Sequence, residues 1–236
     1  MPQPQAVGGL RRGAGLTATA SGKGHGATRL VLVRHGESAC TVAQVVGGHR
    51  GCTGLSPTGR EQAGRLAERL HRTGELAGAA ALYASVLPRA VETAEAIAGA
   101  VGGPPLATDC DLCEQHPGDA DGMTWAEAEA AYGPSPSPGD PHRPLFPGGE
   151  AWADMVERVA SRLAKMAAEH PGQLTVVACH GGVVRASLVA FLAPAEMDVL
   201  GLDSPENTSL TEWVHAPGAG WRLVRYNDFA HLLGAS

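Results

Sequence analysis

Two segments of this 236-residue chain carry an apolar run straight into a histidine and a glycine. Leu30-Val31-Leu32-Val33 leads into Arg34-His35-Gly36-Glu37, and Leu174-Thr175-Val176-Val177-Ala178 leads into Cys179-His180-Gly181-Gly182. Near neutral pH an imidazole can serve as nucleophile, proton carrier or anion ligand. A lone histidine is more often structural, but these two have companions. Arg34 adjoins His35, and Arg89 follows Pro88 just after a third apolar segment, Ala79 to Tyr83. Guanidinium forks match phosphate oxygens in two-point geometry, and helix N-termini at Pro88 and Gly182 add oriented N–H donors. The chemistry these residues could do is that of a pocket that selects an anion and holds imidazoles against it.

For those residues to meet, the elements that carry them must share one end of a sheet. The apolar runs read as buried parallel strands. Helices are expected between them: from Ser56-Pro57, from Pro88, a short one from Thr124, a long one over about 149–170, and one over 183–192. A strand over 106–108 and two alternating strands, around 209–215 and 221–226, complete the pattern. This order predicts an α/β fold, a three-layer α/β/α sandwich with one mostly parallel sheet and an antiparallel edge near the C-terminus. In open sheets of this kind ligands bind beyond the carboxyl ends of the strands, where Arg34, His35 and His180 then lie. The Pro- and Gly-rich loop at 133–139 reads as surface lid or linker. Residues 1–28, rich in Gly, Ala, Ser and Thr, read as a flexible tail before a domain over 29–236.

Composition narrows the function. With 44% hydrophobic and 18% charged residues the chain can bury a core, and no run reaches 18 apolar residues, which excludes an apolar helical membrane span. Residues 1–29 carry Arg11, Arg12, Lys23 and Arg29 with no acid; the rest hold 14 of the 18 basic side chains and all 24 acidic ones, a balance of −10. So acidic a body is a poor partner for nucleic acid. The apolar stretch after Arg11-Arg12 is too short and glycine-rich for an export signal. Five cysteines, an odd number in a chain large enough to stand without staples, point to reduced thiols and a cytoplasmic location. Cys110-Asp-Leu-Cys113 has the spacing of a redox or zinc motif with His116 three residues on, but no second pair completes four ligands. The thiols are therefore read as incidental and no metal is expected. His49, His71, His116, His142, His170, His215 and His231 read as surface or structural residues, and Trp125, Trp152, Trp213 and Trp221 as core or edge packing.

The motifs also resemble a family. Arg34-His35-Gly36-Glu37-Ser38, Ser85-Val86-Leu87-Pro88-Arg89-Ala90, Glu114 with Gly118 and Asp121-Gly122, and Cys179-His180-Gly181-Gly182 are similar in order and spacing to the histidine phosphatase superfamily, also called phosphoglycerate mutase-like. Gly54-Leu55-Ser56-Pro57-Thr58-Gly59 with Gln62-Ala63, Pro147-Gly148-Gly149-Glu150, and Asn207-Thr208-Ser209 agree, so the resemblance spans roughly residues 29–231. It implies that His35 is the nucleophile and forms a phosphohistidine. Arg34, Arg89 and His180 would hold the non-bridging oxygens, with Thr41 and Gly181 as further substrate contacts. Glu114 would be the proton donor to the leaving alkoxide and then the base toward water. No metal or other cofactor is implied, and the partner is a small phosphate ester.

Departures from the family pattern bear on the substrate. Thr41 stands where many members have Asn, Cys40 where an aromatic is common, and Cys52 where Asp is frequent. Mutases of the family carry Glu-Arg-His-Tyr-Gly at the acid; here the stretch is Glu114-Gln115-His116-Pro117-Gly118, without the arginine and tyrosine contacts. The expected activity is a metal-independent phosphomonoesterase. The alternatives are a phosphoglycerate mutase or a non-catalytic phosphate-binding protein. The substrate and the oligomeric state are not legible in the sequence.

Overall fold

The computed structural model describes residues 26–136, 140–192, 204–216 and 218–234. Residues 1–25 of the expected tail, part of the 133–139 loop and residues 193–203 lie outside them. Within the described residues a six-stranded sheet runs in the order β3-β2-β4-β1-β5-β6. Its strands are β1 (Thr28–Arg34), β2 (Ala81–Ser85), β3 (Leu106–Asp109), β4 (Leu174–Cys179), β5 (Leu210–Ala216) and β6 (Gly220–Asp228). β1, β2, β3 and β4 are mutually parallel; β5 is antiparallel to β1, and β6 to β5. The expected antiparallel edge is therefore present as two antiparallel pairings, with β5 alone running against the other strands.

The two central strands show why the sequence reads as uninterrupted apolar runs. Along β1, Val31 and Val33 join one core cluster while Leu30 and Leu32 join the other; along β4, Val176 and Ala178 take the first face, Val177 and Cys179 the second. Each face is covered by helices, so neither set of alternating side chains meets water. On the first face lie α2 (Pro57–Thr73) and α3 (Pro88–Ile97), on the second α5 (Trp152–Glu169) and α6 (Gly181–Leu192). Met155, Val159, Leu163 and Met166 form the buried stripe of α5, at helical spacing. Trp213 is fully buried, and Trp152 and Trp221 pack against the same cluster.

Local chemistry sets the helix ends. Ser56 caps α2, its hydroxyl accepting from Gly59 N at 2.9 Å, Pro57 takes the first position, and Gly74 ends the helix at φ 63°. α4 (Trp125–Tyr132) opens with a capping box between Thr124 and Glu127. One element falls inside what the sequence shows only as a glycine-rich loop: the single turn α1 (Ala39–Val42), capped by Ser38. Among the described residues no helix is long and apolar enough to cross a membrane.

Candidate active site

Strand order decides which residues meet. β4 lies between β2 and β1, and Arg34 is in register with Cys179, so the chain leaves β1 into His35 and β4 into His180 side by side. β2 ends at Ser85 on the other side of β4, and after a short turn Arg89 sits in the first turn of α3. It reaches across: Arg89 Nε donates to His35 Nε2 at 3.1 Å and to His180 Nδ1 at 3.2 Å, while Nη1 donates to the Gly47 carbonyl at 2.7 Å. The two imidazoles meet edge to face, with ring centroids 5.1 Å apart.

These contacts assign the tautomers. His35 Nδ1 lies 2.6 Å from the Gly36 carbonyl oxygen, which can only accept, so Nδ1 carries the proton. Nε2, facing a guanidinium N–H that can only donate, then holds a lone pair. In His180 the same guanidinium faces Nδ1, so the proton is on Nε2, a buried donor with no partner among the described residues. Arg34 Nε is a second such donor, although Arg34 Nη1 donates to the Pro205 carbonyl. Burial, and then the Arg89 charge, push both histidines well below the ordinary imidazole range. In the unfolded chain both would protonate near pH 6.5, so between that pH and their depressed folded values the unfolded state binds more protons. Folding stability is therefore expected to fall as pH drops below about 6.5. Urea unfolding at stepped pH checks this, and a stability flat across that range would contradict neutral burial of the pair.

The motif's polar neighbours hold the nucleophile loop. Gly36 N donates to Thr93 Oγ1 (3.2 Å), whose own hydroxyl donates to the Arg89 carbonyl (2.8 Å). Glu37 is held by Ser56 Oγ at 2.6 Å and by Gln62 through its backbone N–H at 2.8 Å. Asn207 Nδ2 donates to the His35 carbonyl at 2.9 Å. A Cβ on Gly36 would stand 2.5 Å from the Gly59 carbonyl oxygen, so backbone contact between the loop and α2 needs glycine there.

Glu114 arrives from a different direction, on the segment after β3. Its Oε2 accepts from Gly182 N at 3.0 Å, in the first turn of α6, and Oε1 from its own neighbour Gln115 N at 3.0 Å. A Cβ at Gly182 would collide with the Glu114 carboxylate. Gly182→Ala is thus expected to displace Glu114 and lower turnover by about 10- to 100-fold while leaving cooperative unfolding intact. Steady-state kinetics beside circular dichroism would check it, and wild-type turnover in the variant would show that Glu114 does not depend on this approach.

Arg34, His35, Thr41, Arg89 and Glu114 line a common cavity of about 360 Å³. The described residues bring together all of the residues expected from the sequence, with two distinctions. His180 is fully buried behind Arg89, and Gly181 packs toward Arg34, a Cβ there standing 3.6 Å from Arg34 Nε; neither is among the residues lining the cavity. Thr41 does line it, with its hydroxyl 2.8 Å from Ser38 Oγ. Cys40 also lines the cavity and pairs with Cys52: the hydrogen bond with Cys52, and then burial, push the Cys40 thiol up, and the same bond brings the Cys52 thiol down.

Sequence reasoning missed Trp125. Expected as packing, it does meet the Phe146 ring, with centroids 6.0 Å apart, but it is also 37% exposed and lines the cavity with Val45, Val46 and Leu145, giving it an apolar wall. No periodicity marks it, because it sits at the start of a short helix whose position depends on the loop before it. Asp121 was visible only as part of a motif. Its carboxylate accepts from Gly48 N, Gly51 N and Arg50 N at 2.8–2.9 Å, which fixes the loop that presents Gly47 to Arg89. The same loop brings His49 toward Cys110, Cys113 and His116, residues read from the sequence as incidental.

The model of the histidine phosphatase superfamily (branch 1) matches residues 30–229. The chain belongs to that superfamily. It is 34% identical over 208 residues to phosphoglycerate mutase-like protein 4 of Arabidopsis thaliana, covering 86% of each chain. It is 32% identical over 210 residues to a metal-independent phosphoserine phosphatase of the same plant, covering 87% of this chain and 83% of that one. A solved structure of a mycobacterial glucosyl-3-phosphoglycerate phosphatase in complex with VO3 superposes with a TM-score of 0.67 at 27% identity, over 84% of this chain and 98% of the other. As a member of this superfamily the chain is a phosphomonoester hydrolase.

Proposed function

We propose that the protein hydrolyses a small phosphorylated metabolite through a phosphohistidine on His35, without a catalytic metal. The observation that carries this reading is the pair of tautomers set by Arg89. They leave His35 Nε2 unprotonated, its lone pair accepting from Arg89 until the guanidinium turns to a phosphate oxygen, and leave His180 Nε2–H as a buried donor beside Arg34 Nε–H, both of which phosphate oxygens would satisfy. In the first step the Nε2 pair attacks phosphorus, the ester P–O bond breaks, and Glu114 gives its proton to the leaving alkoxide. In the second, Glu114 as carboxylate takes a proton from water, the water oxygen bonds to phosphorus, and the P–N bond returns its pair to the imidazole. The Arg34 and Arg89 charges and the His180 N–H would stabilise the transferring phosphoryl group, the term that supplies most of the rate in such reactions.

Hydrolysis is favoured over mutase transfer because Gln115, not an arginine, follows the acid. Gln115 Nε2 donates to the Glu150 carbonyl at 2.8 Å, so that side chain is tied to the protein wall. The apolar wall of Val45, Val46, Trp125 and Leu145 suits an ester whose non-phosphate part is not a second dense anion. A phosphate-release screen over a panel of sugar phosphates, phosphoserine and cofactor precursors tests the reading. Turnover of at least one is expected, with no interconversion of 2- and 3-phosphoglycerate; efficient interconversion with negligible phosphate release would replace it with the mutase reading.

A further inference from the structure

Outside the cavity, four side chains converge whose chemistry the reaction does not use. Cys110 Sγ lies 3.4 Å from Cys113 Sγ, 3.6 Å from His49 Nε2 and 3.8 Å from His116 Nε2, and all four atoms are within 4.8 Å of one another. In a tetrahedral zinc site with Zn–S about 2.3 Å and Zn–N about 2.0–2.1 Å, neighbouring ligand atoms stand roughly 3.3–3.8 Å apart. The three separations from Cys110 Sγ already have that size. We propose that His49, Cys110, Cys113 and His116 form a structural zinc site that ties the 47–52 loop to the 110–116 segment.

The donor set points to the metal. Two sulfurs and two imidazole nitrogens, with no carboxylate among them, suit zinc and do not suit magnesium or calcium. Four protein ligands close the coordination sphere, as in structural rather than catalytic sites. None of the four lines the cavity among the described residues. Binding releases the two thiol protons, leaving Zn²⁺ balanced by two thiolates and two neutral imidazoles.

The backbone that carries the ligands is held by contacts independent of any ion. Arg158 Nη1 donates to the Asp111 carbonyl at 2.8 Å and the Cys113 carbonyl at 3.2 Å, and its other nitrogens grip Glu150 at 2.8 and 2.7 Å. Glu150 in turn accepts from His116 N at 3.2 Å. On the opposite loop the three N–H donors gathered by Asp121 come from Gly48, Arg50 and Gly51, on either side of His49. Supporting shells of this kind preorganise metal ligands. Glu114 lies between Cys113 and His116, so the ion would also steady the segment that carries the acid; that consequence alone rests on the phosphatase reading.

The test uses the full chain without a histidine tag, reduced and then given Co²⁺ or Zn²⁺. About one zinc per chain is expected by elemental analysis, and Co²⁺ should produce a thiolate-to-cobalt charge-transfer band with the intense visible bands of a tetrahedral site, displaced by Zn²⁺. Cys110→Ser/Cys113→Ser should abolish the charge-transfer band and His49→Ala should weaken binding at least about 10-fold, while His142→Ala changes neither. A chelator should lower the melting temperature of the wild type but not of the double cysteine variant. Absence of the charge-transfer band in reduced wild type overturns the proposal even if every variant fails to fold. So does a stoichiometry unchanged in His49→Ala and the cysteine variant, or formation of a Cys110–Cys113 disulfide that zinc does not prevent. Metal binding is read without turnover, so an inactive zinc-loaded protein would remove the phosphatase reading and leave the site standing.

Discussion

His35→Ala is expected to lower phosphate release by about 10⁴-fold or more, with the fold intact. The imidazole is the group whose unprotonated nitrogen is turned toward Arg89, with the opposite nitrogen locked on the Gly36 carbonyl. Alanine removes the nucleophile and leaves the arginines and His180 able to bind phosphate. The variant should therefore retain competitive affinity for inorganic phosphate while losing turnover. Acid-labile, alkali-stable radiolabel should appear on wild type during turnover and vanish in the variant. Turnover within 10-fold of wild type would eliminate a phosphohistidine at this position.

Glu114→Gln should separate substrates by their leaving groups. An alkoxide must be protonated as it departs, so kcat/KM for alkyl phosphates is expected to fall about 10²- to 10⁴-fold. An aryl oxide leaves without much help, so kcat/KM for an activated aryl phosphate should change far less. The amide retains an oxygen to accept from Gly182 N, while its NH2 replaces the oxygen that accepts from Gln115 N, so thermal unfolding is followed beside the kinetics to separate loss of the acid from displacement of the side chain. Breakdown of the phosphoenzyme needs the same group as base. The variant should thus release a burst of phenol from an aryl phosphate and then turn over slowly, with label accumulating on His35. Equal losses of kcat/KM for both classes, without a burst, would remove Glu114 from the acid role.

Both expectations could be framed from the chain because the local signals are strong. A strand buried on both faces writes itself as an apolar run, as β1 and β4 do, and its abrupt end in Arg34-His35 or His180 marks the ligand-binding edge. Helix starts are equally legible, since Ser56 and Thr124 satisfy backbone donors within a few residues of themselves, and Pro57 and Pro88 open their helices without an N–H that needs a partner. The turn at Ala39–Val42 escaped notice because four residues carry no periodicity. Trp125 escaped because an aromatic at a helix start looks the same whether it faces core or cavity.

The net charge has the same double character. A balance of −10 outside the first 29 residues argues against a polyanionic partner. That sum contains no information about place, and the fold gathers Arg34 and Arg89 at one strand-end crevice. An acidic body with a cationic pocket suits a small phosphate ester.

By itself the sequence determined the strands, the helix caps, the two strand-end histidines and the superfamily, because each is written in residues close along the chain. Only the tertiary structure decided that β4 lies between β1 and β2, and with it that one Arg89 nitrogen serves both imidazoles and sets both tautomers. It also decided that His49, 61 residues before Cys110, completes the set of ligands for which the sequence offered no second cysteine pair. That meeting depends on two irregular loops, one gathered by Asp121 and the other by Arg158. Such paths are set by single long-range hydrogen bonds, and these leave no period or spacing in the chain from which they could be read.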